Sequence, residues 1–547
     1  MKNKFKKILL LISVILNIVS FSINCHASRT VELKKDSLVA DFKFFCKILE
    51  ETHPDPYTRF GGRPYFYMKR DTYLDRIIND SLGLIDFCDL INEFIIPLQD
   101  MHTYVSYPSS DNSEDKFVQR IIFLPLNEGL IVRFISNPHG DLIGSRLISV
   151  GGENADTLLA RMLKVMPSEN KYSNLNNFSR EVFHDRYLKL LGVNFNDSVR
   201  YGLVTPKGDT VYVSLPLLNR SQVNNGNLAR LTTELNLPKN NLQYTFLNND
   251  NNIMYLKLSS VMARENYKYC YENGWDNAIN DIRRYYNSTG KEMPDDMDDA
   301  IMGIPSFSEQ FVNMLDTMKN NGSEYLIIDL RGNSGGWTSI TLPSLMMLYG
   351  DEYVSKDMNS KFIRRISDNY LKKLNISLED FNKLRGSKWE IGDYQMHYET
   401  DPELDINKKR DNFILNAMTE KRDLLQNLNG EPLYRPKQIF VITDPGTFSA
   451  AFHYAFYLWK MGATIVGVPS RQSTNTYMEN TPFQLPYTKL SASSSNSIQQ
   501  FVEPGSPMER ALIPEIEITL EDYVAADFDI NTPVLKIIDI LSTENHE

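Results

Sequence analysis

The stretch Tyr325-Leu326-Ile327-Ile328-Asp329-Leu330-Arg331-Gly332-Asn333-Ser334-Gly335-Gly336 decides how this chain is read. Its first half is an almost unbroken apolar run, the pattern of a strand covered on both faces. The second half is a loop rich in glycine. Glycine permits backbone angles that turn N–H groups toward a bound anion or carbonyl oxygen. A nucleotide phosphate loop would follow its glycines with Lys-Ser or Lys-Thr, and no such pair follows here. A strand entering a carbonyl-binding loop, or a plain turn, remains.

Downstream the same alternation continues. Residues 439–443 form a second apolar strand, 450–461 an apolar helix and 463–466 a third strand. Strand, helix and strand in this order predict an α/β core with covered sheet faces. Between the second strand and the helix stands Asp444-Pro445-Gly446-Thr447-Phe448-Ser449-Ala450-Ala451. This context puts the Ser449 hydroxyl at a helix N-terminus, beside N–H groups without intrahelical partners. Such donors stabilise an oxyanion on an attacked carbonyl. A serine at this place also serves as an ordinary helix cap, and the motif alone leaves both roles open.

Upstream, residues 253–258 read as a strand and 311–319 as a helix. Residues from about 115 to 220 read as a small β-rich module. It has strands at 119–124 and 129–134, a strand entering the turn Gly151-Gly152, a helix over 155–165, and strands near 199–204 and 210–215. Residues 36–98 have helical spacing, with Leu38, Phe42, Phe45 and Leu49 on one face and Asp36 or Ser37 as the cap. His53-Pro54-Asp55-Pro56 ends the first helix. The resulting division is 1–27 signal peptide, 28–112 helical region, 113–235 β-rich module and 240–547 α/β core. A charged, helix-prone insertion occupies about 351–436 of that core.

Lys2, Lys4, Lys6 and Lys7 precede an apolar run from Ile8 to about Phe21, and Cys25-His26-Ala27 offers small residues for cleavage. This is the layout of a secretory signal, and the run is shorter than the ~20 residues of a spanning helix. The expected location is therefore exported: periplasmic, cell-envelope or extracellular. Membrane association is expected only if Cys25 carries a lipid. Cys46, Cys88 and Cys270 remain after the signal. Cys46 and Cys88 lie in one helical region, and both a disulfide and buried free thiols are compatible with that. The cysteine spacing matches no zinc pattern, no His/Asp/Glu cluster has ligand spacing, and neither a metal nor a cofactor is expected. The 547 residues carry a net charge of -11 and no basic stripe, which argues against nucleic acid as a partner.

The strand-loop 326–336, followed by Thr447-Phe448-Ser449-Ala450-Ala451 and Ile465-Val466-Gly467, resembles the tail-specific (C-terminal processing) serine peptidase family, which includes the tricorn core protease and a retinoid-binding branch. Asp100-Met101-His102-Thr103 and Ile513-Pro514-Glu515-Ile516 join the resemblance. It implies a crotonase/Clp-protease-like α/β core and a PDZ-like module. It also implies a nucleophile at Ser449, and an oxyanion hole from the Ala450 N–H together with Gly335 or Gly336. Peptides or unfolded protein tails are the implied substrate.

The better-known branch uses a lysine about two dozen residues after the serine. Here residues 468–476 contain none, and Arg471 cannot deprotonate at usable pH. A histidine base is expected instead. His102 matches the Asp-x-His-Thr element of the tricorn-like branch, and its imidazole suits proton transfer near neutrality. It is also placed to cap the helix before it. His453, one turn after Ser449, is the alternative base. Glu509 stands about where the tricorn-like pattern has a glutamate that orients the histidine; a surface role is equally compatible. The rival from another class is a non-catalytic ligand- or peptide-binding protein on the same scaffold.

Overall fold

The computed structural model describes residues 34–108, 116–223, 228–229, 233, 235–275, 277–358, 360–398 and 404–544. The expected signal peptide and Cys25 lie outside the described residues.

The apolar run at 325–330 forms the strand Tyr325–Asp329, inside a six-stranded sheet. The spatial order is Gln243–Phe246, Ile253–Lys257, Tyr325–Asp329, Gln438–Thr443, Thr464–Gly467 and Ile516–Glu517. The first pair is antiparallel and the others are parallel. Side chains alternate between the two faces of a strand, and both faces are buried here. Leu326, Ile328, Ile439, Val441 and Ile465 pack with the helices Phe307–Asn321, Leu342–Tyr349 and Ala450–Lys460. Tyr325, Ile327, Phe440, Ile442 and Val466 share a core with the β-rich region and the helix Thr532–Glu544.

The β-rich region is an eight-stranded antiparallel sheet between Lys116 and Ala229, with the helices Ala155–Met162, Lys171–Glu181 and Asp185–Leu190 around it. The last two helices were not expected. Lys171-Tyr172-Ser173-Asn174-Leu175-Asn176-Asn177 is a poor helix former by propensity. Its Asn170 cap and the burial of residues 172–179 supply what propensity lacks.

A further sheet also escaped the sequence reading. The strand Ser491–Gln500 takes Asn475–Gln484 along one edge. Lys361–Arg365 and Tyr104–Val105 share its other edge. Residues 491–497 read Ser-Ala-Ser-Ser-Ser-Asn-Ser, a loop-like composition. Pairing on both edges satisfies its backbone, and small side chains suit a strand covered on both faces; residues 492–497 are buried. The insertion supplies the hairpin Lys361–Arg365/Tyr394–Tyr398 as well as five helices, so it is not wholly helical.

The N-terminal region folds as expected into Lys35–Thr52, Arg63–Asn79 and Leu84–Ile95. Lys34 rather than Asp36 or Ser37 holds the cap position, and Asp36 sits in the first turn, where the helix dipole favours a carboxylate. Cys46 and Cys88 are both buried in this helical core as free thiols.

Candidate active site

Parallel pairing aligns the carboxyl ends of Tyr325–Asp329 and Gln438–Thr443, with Asp329 opposite Ile442. The loops that leave these strands therefore emerge side by side, the usual place for a site in such a sheet. Three contacts lock them together. Asp444 Oδ1 accepts the Gly332 N–H at 2.9 Å, the Phe448 N–H donates to the Asn333 carbonyl at 2.9 Å, and Thr447 Oγ1 donates to the Leu330 carbonyl at 3.0 Å.

Ser449 begins the helix Ala450–Lys460 with φ 54° and ψ -126°. Such backbone is costly for a non-glycine residue, by ~1–3 kcal/mol, and it projects a side chain out of a tight strand-to-helix turn. Ser449 is half-buried, and its hydroxyl makes no hydrogen bond among the described residues. Its backbone N–H is taken by Gln472 Oε1 at 2.5 Å.

Gly335 lies directly against this turn. With φ 102°, a methyl group on its Cα would fall 2.8 Å from both the Phe448 carbonyl oxygen and Ser449 Cβ, and 2.9 Å from the Ala450 nitrogen. The Gly335 N–H is already spent on Asn333 Oδ1 at 2.9 Å. Among the described residues, the N–H groups of Gly336 and Ala450 meet no protein acceptor. The two expected oxyanion segments thus meet, with Gly336 rather than Gly335 carrying the free donor on the loop side.

His102 reaches the same place from the N-terminal region. Thr103 Oγ1 accepts the Ser495 N–H at 3.0 Å, and Tyr104 pairs with Ser493, which pins the turn to the second sheet. The His102 ring stacks on Phe448, the residue before Ser449, at 4.8 Å between centroids. Burial pushes its pKa below 6.5, opposed by the charges of Asp100 and Glu479. Its Nδ1 is buried without a hydrogen-bond partner, 4.0 Å from Asp100 Oδ1. Asp100 is itself buried and holds the turn: it accepts the His102 N–H at 2.8 Å and the Thr103 hydroxyl at 2.5 Å. The neighbouring His53, with its Nε2 3.3 Å away, and those hydrogen bonds keep the Asp100 carboxyl down at about 2 against its burial.

His453 is placed differently. Its Nε2 lies 2.7 Å from Gln499 Oε1 and its Nδ1 2.8 Å from Thr338 Oγ1. Gln472 Nε2 donates to the same Gln499 oxygen at 3.3 Å, and Gln499 Nε2 donates to the Thr474 carbonyl at 2.9 Å. This chain assigns the imidazole proton to Nε2 and leaves Nδ1 accepting from Thr338. Burial drives the His453 pKa down to about 4. Both ring nitrogens are occupied, so His453 belongs to the network that holds the Ser449 backbone through Gln472.

Glu509 is not brought to the histidine. Its carboxylate accepts the Gly505 N–H at 2.8 Å within its own turn, and its carbonyl accepts the Asn475 N–H at 3.0 Å. No contact with His102 occurs among the described residues. Position relative to Pro514 suggested the pairing; local turn closure uses the carboxylate instead.

Several neighbours carried no signal in the sequence. Phe448, Gln472, Gln499 and Thr338 are ordinary residues until strand pairing collects them. Glu169 is another: it is 1% exposed, and Ser473 donates to it through the backbone N–H at 2.9 Å. Burial raises its pKa to about 8.

Residues 299–504 match the model of Peptidase family S41. No curated protein matches the chain. Among solved structures, mature CPAF complexed with lactacystin aligns with a TM-score of 0.58 at 15% identity, over 93% of this chain and 99% of that one. Mature CPAF aligns with a TM-score of 0.56 at 14% identity, over 92% and 98% of the two chains. These identities speak for a shared fold. The family match spans the glycine loop, the insertion and the Ser449 turn, and ends before Glu509. Residues 299–504 thus carry a Peptidase family S41 domain, and that domain makes the chain a hydrolase.

Proposed function

We propose that the protein is an exported serine peptidase that cleaves peptides or unfolded protein tails through an acyl-enzyme on Ser449. The observation that carries this reading is the Ser449 turn: a non-glycine residue at φ 54° with Gly335 pressed against it and free donors at Gly336 and Ala450. Strain of this kind persists where surrounding structure over-determines it, commonly at reactive residues.

In the proposed reaction Ser449 Oγ attacks the peptide carbonyl. His102 accepts the hydroxyl proton and returns it to the leaving amine. The N–H groups of Gly336 and Ala450 receive the developing oxyanion. Water then attacks the ester, with His102 as base again, and releases the acid product. A depressed His102 pKa keeps the imidazole neutral at pH 7, the form a general base requires. Asp100 is the carboxylate nearest its Nδ1 and stabilises the imidazolium as it forms. Export rests on the charged and apolar pattern of residues 2–27.

A serine-reactive phosphonate followed by peptide mapping tests the reading. Labelling at Ser449 is expected, with protection by lactacystin, the compound complexed with mature CPAF. Absence of labelling on folded protein overturns the assignment and favours a binding protein. His102→Ala is expected to lower kcat by about 10⁴-fold or more. The acid limb of kcat/KM should lie below pH 6.5, because His102 must be deprotonated and its pKa is depressed.

A further inference from the structure

Arg471 is 9% exposed, and its Nε is buried with no hydrogen-bond partner. No hydrogen bond or ion pair engages the rest of its guanidinium among the described residues. Its Cζ sits 4.7 Å from the centre of the Phe448 ring, so the cation lies beside the residue that precedes Ser449. A buried guanidinium that makes no hydrogen bond or ion pair is unfavourable, and stacking on one ring recovers only part of that cost.

Asp444 and Glu169 offset its charge only in part, and neither pairs with it directly. Arg180 lies close enough to repel it. Asp444 is committed to the N–H groups of Gly332, Gly446 and Thr447. Glu169 binds the Ser473 N–H, and its raised pKa keeps it mostly protonated at pH 7. Burial is the main influence on Arg471 itself and lowers its pKa to about 10, which still leaves it charged.

The backbone around Arg471 is also held in place. Asn170 Nδ2 donates to the Ser470 carbonyl at 3.2 Å, Ser473 is bound by Glu169, and Gln472 reaches the Ser449 N–H. The guanidinium is thus presented from a fixed segment next to the nucleophile turn.

We propose that Arg471 is a specificity residue that pairs with a carboxylate of the substrate close to the bond attacked by Ser449, so that the preferred substrates are peptides with an acidic group there. A guanidinium binds a carboxylate with two parallel N–H donors, and pairing in a site closed to water is far stronger than at a surface. The carboxylate has two possible sources, the free C-terminus of the chain or an Asp or Glu side chain. The inference rests on the proposed role of Ser449 for its location, so its first test does not depend on turnover.

Ser449→Ala protein is titrated with three matched peptides: one with a free C-terminal carboxylate, its C-terminal amide, and an amide carrying Glu near the scissile position. At least a tenfold tighter Kd for one carboxylate peptide over the plain amide is expected, and the peptide that shows it names the source. In Ser449→Ala/Arg471→Gln the preference should collapse to within twofold, and in Ser449→Ala/Arg471→Lys it should return in part. Equal binding of all three peptides by Ser449→Ala protein overturns the proposal, as does an undiminished preference in the Arg471→Gln form. Thermal unfolding of each variant verifies that the fold is retained. Should Arg471→Gln fail to fold, the amide comparison in Ser449→Ala protein still decides. Phosphonate labelling of Ser449 in the otherwise native protein separates the two readings: labelling without carboxylate preference removes the Arg471 inference alone.

Discussion

Asp329 and Glu169 are buried equally well, at 0% and 1% exposure. They titrate in opposite directions. Arg331 and Lys257 stand 2.7 and 3.3 Å from Asp329, and the Tyr255 hydroxyl donates to it at 2.6 Å, so its carboxyl is held far below the usual range. Among the described residues no cation pairs with the Glu169 carboxylate, Arg510 reaching only its backbone carbonyl, and burial lifts it to about 8. Burial always opposes the charged form; a partner decides whether it wins. The glycine loop therefore rests on a permanently ionised anchor. Residues 470–473 rest on a carboxyl that changes state within the physiological range.

Four experiments break or sharpen this contrast. Asp329→Asn leaves Arg331 and Lys257 buried without their counter-charge, and should lower unfolding free energy by ~3–5 kcal/mol in denaturant titrations. Gly335→Ala drives a methyl group into the Phe448 carbonyl and Ser449 Cβ. Its kcat should fall by about 10²–10³-fold, the scale of losing one oxyanion donor, while the rest of the fold melts cooperatively as before.

The third experiment uses pH. The folded-state pKa of Glu169 is raised, so its contribution is fully present below the ordinary value of 4.5 and is lost as pH rises through about 8. Glu169→Gln cannot titrate. Relative to the native protein it should gain ~1–3 kcal/mol of stability as pH is raised from 5 to 8, read as a widening gap in Tm. A constant gap would show that Glu169 is ionised throughout. The smallest effect belongs to Asn170→Ala, which removes the donors to Ser470 and Arg510 and should cost ~1 kcal/mol, with a modest rise in KM as the 470–473 segment loosens.

Position along the chain was a good guide where chemistry is local. Tyr325–Asp329, Gln438–Thr443 and Ala450–Lys460 formed within two residues of their expected bounds, because a continuous apolar run and a helix after a Pro-Gly turn carry their own signals. The glycine loop and the place of Ser449 at a helix start were legible for the same reason. Glu509 was not, since a spacing from Pro514 does not say which way a side chain turns. Ser491–Gln500 was hidden by serine, and its strand character exists only through the two edges that pair with it.

The amino-acid sequence by itself thus determined the α/β core, the glycine loop, the serine at a helix start and the absence of a lysine after it. Tertiary structure alone decided which histidine lies against Phe448, which glycine N–H remains free, and which of two buried carboxyls stays charged. The physical reason is one of range. Strand and helix signals are written within ~10 residues, whereas proton affinity and ring placement also depend on groups far apart in sequence, such as Lys257 beside Asp329 and Phe448 beside His102, which only the fold brings together.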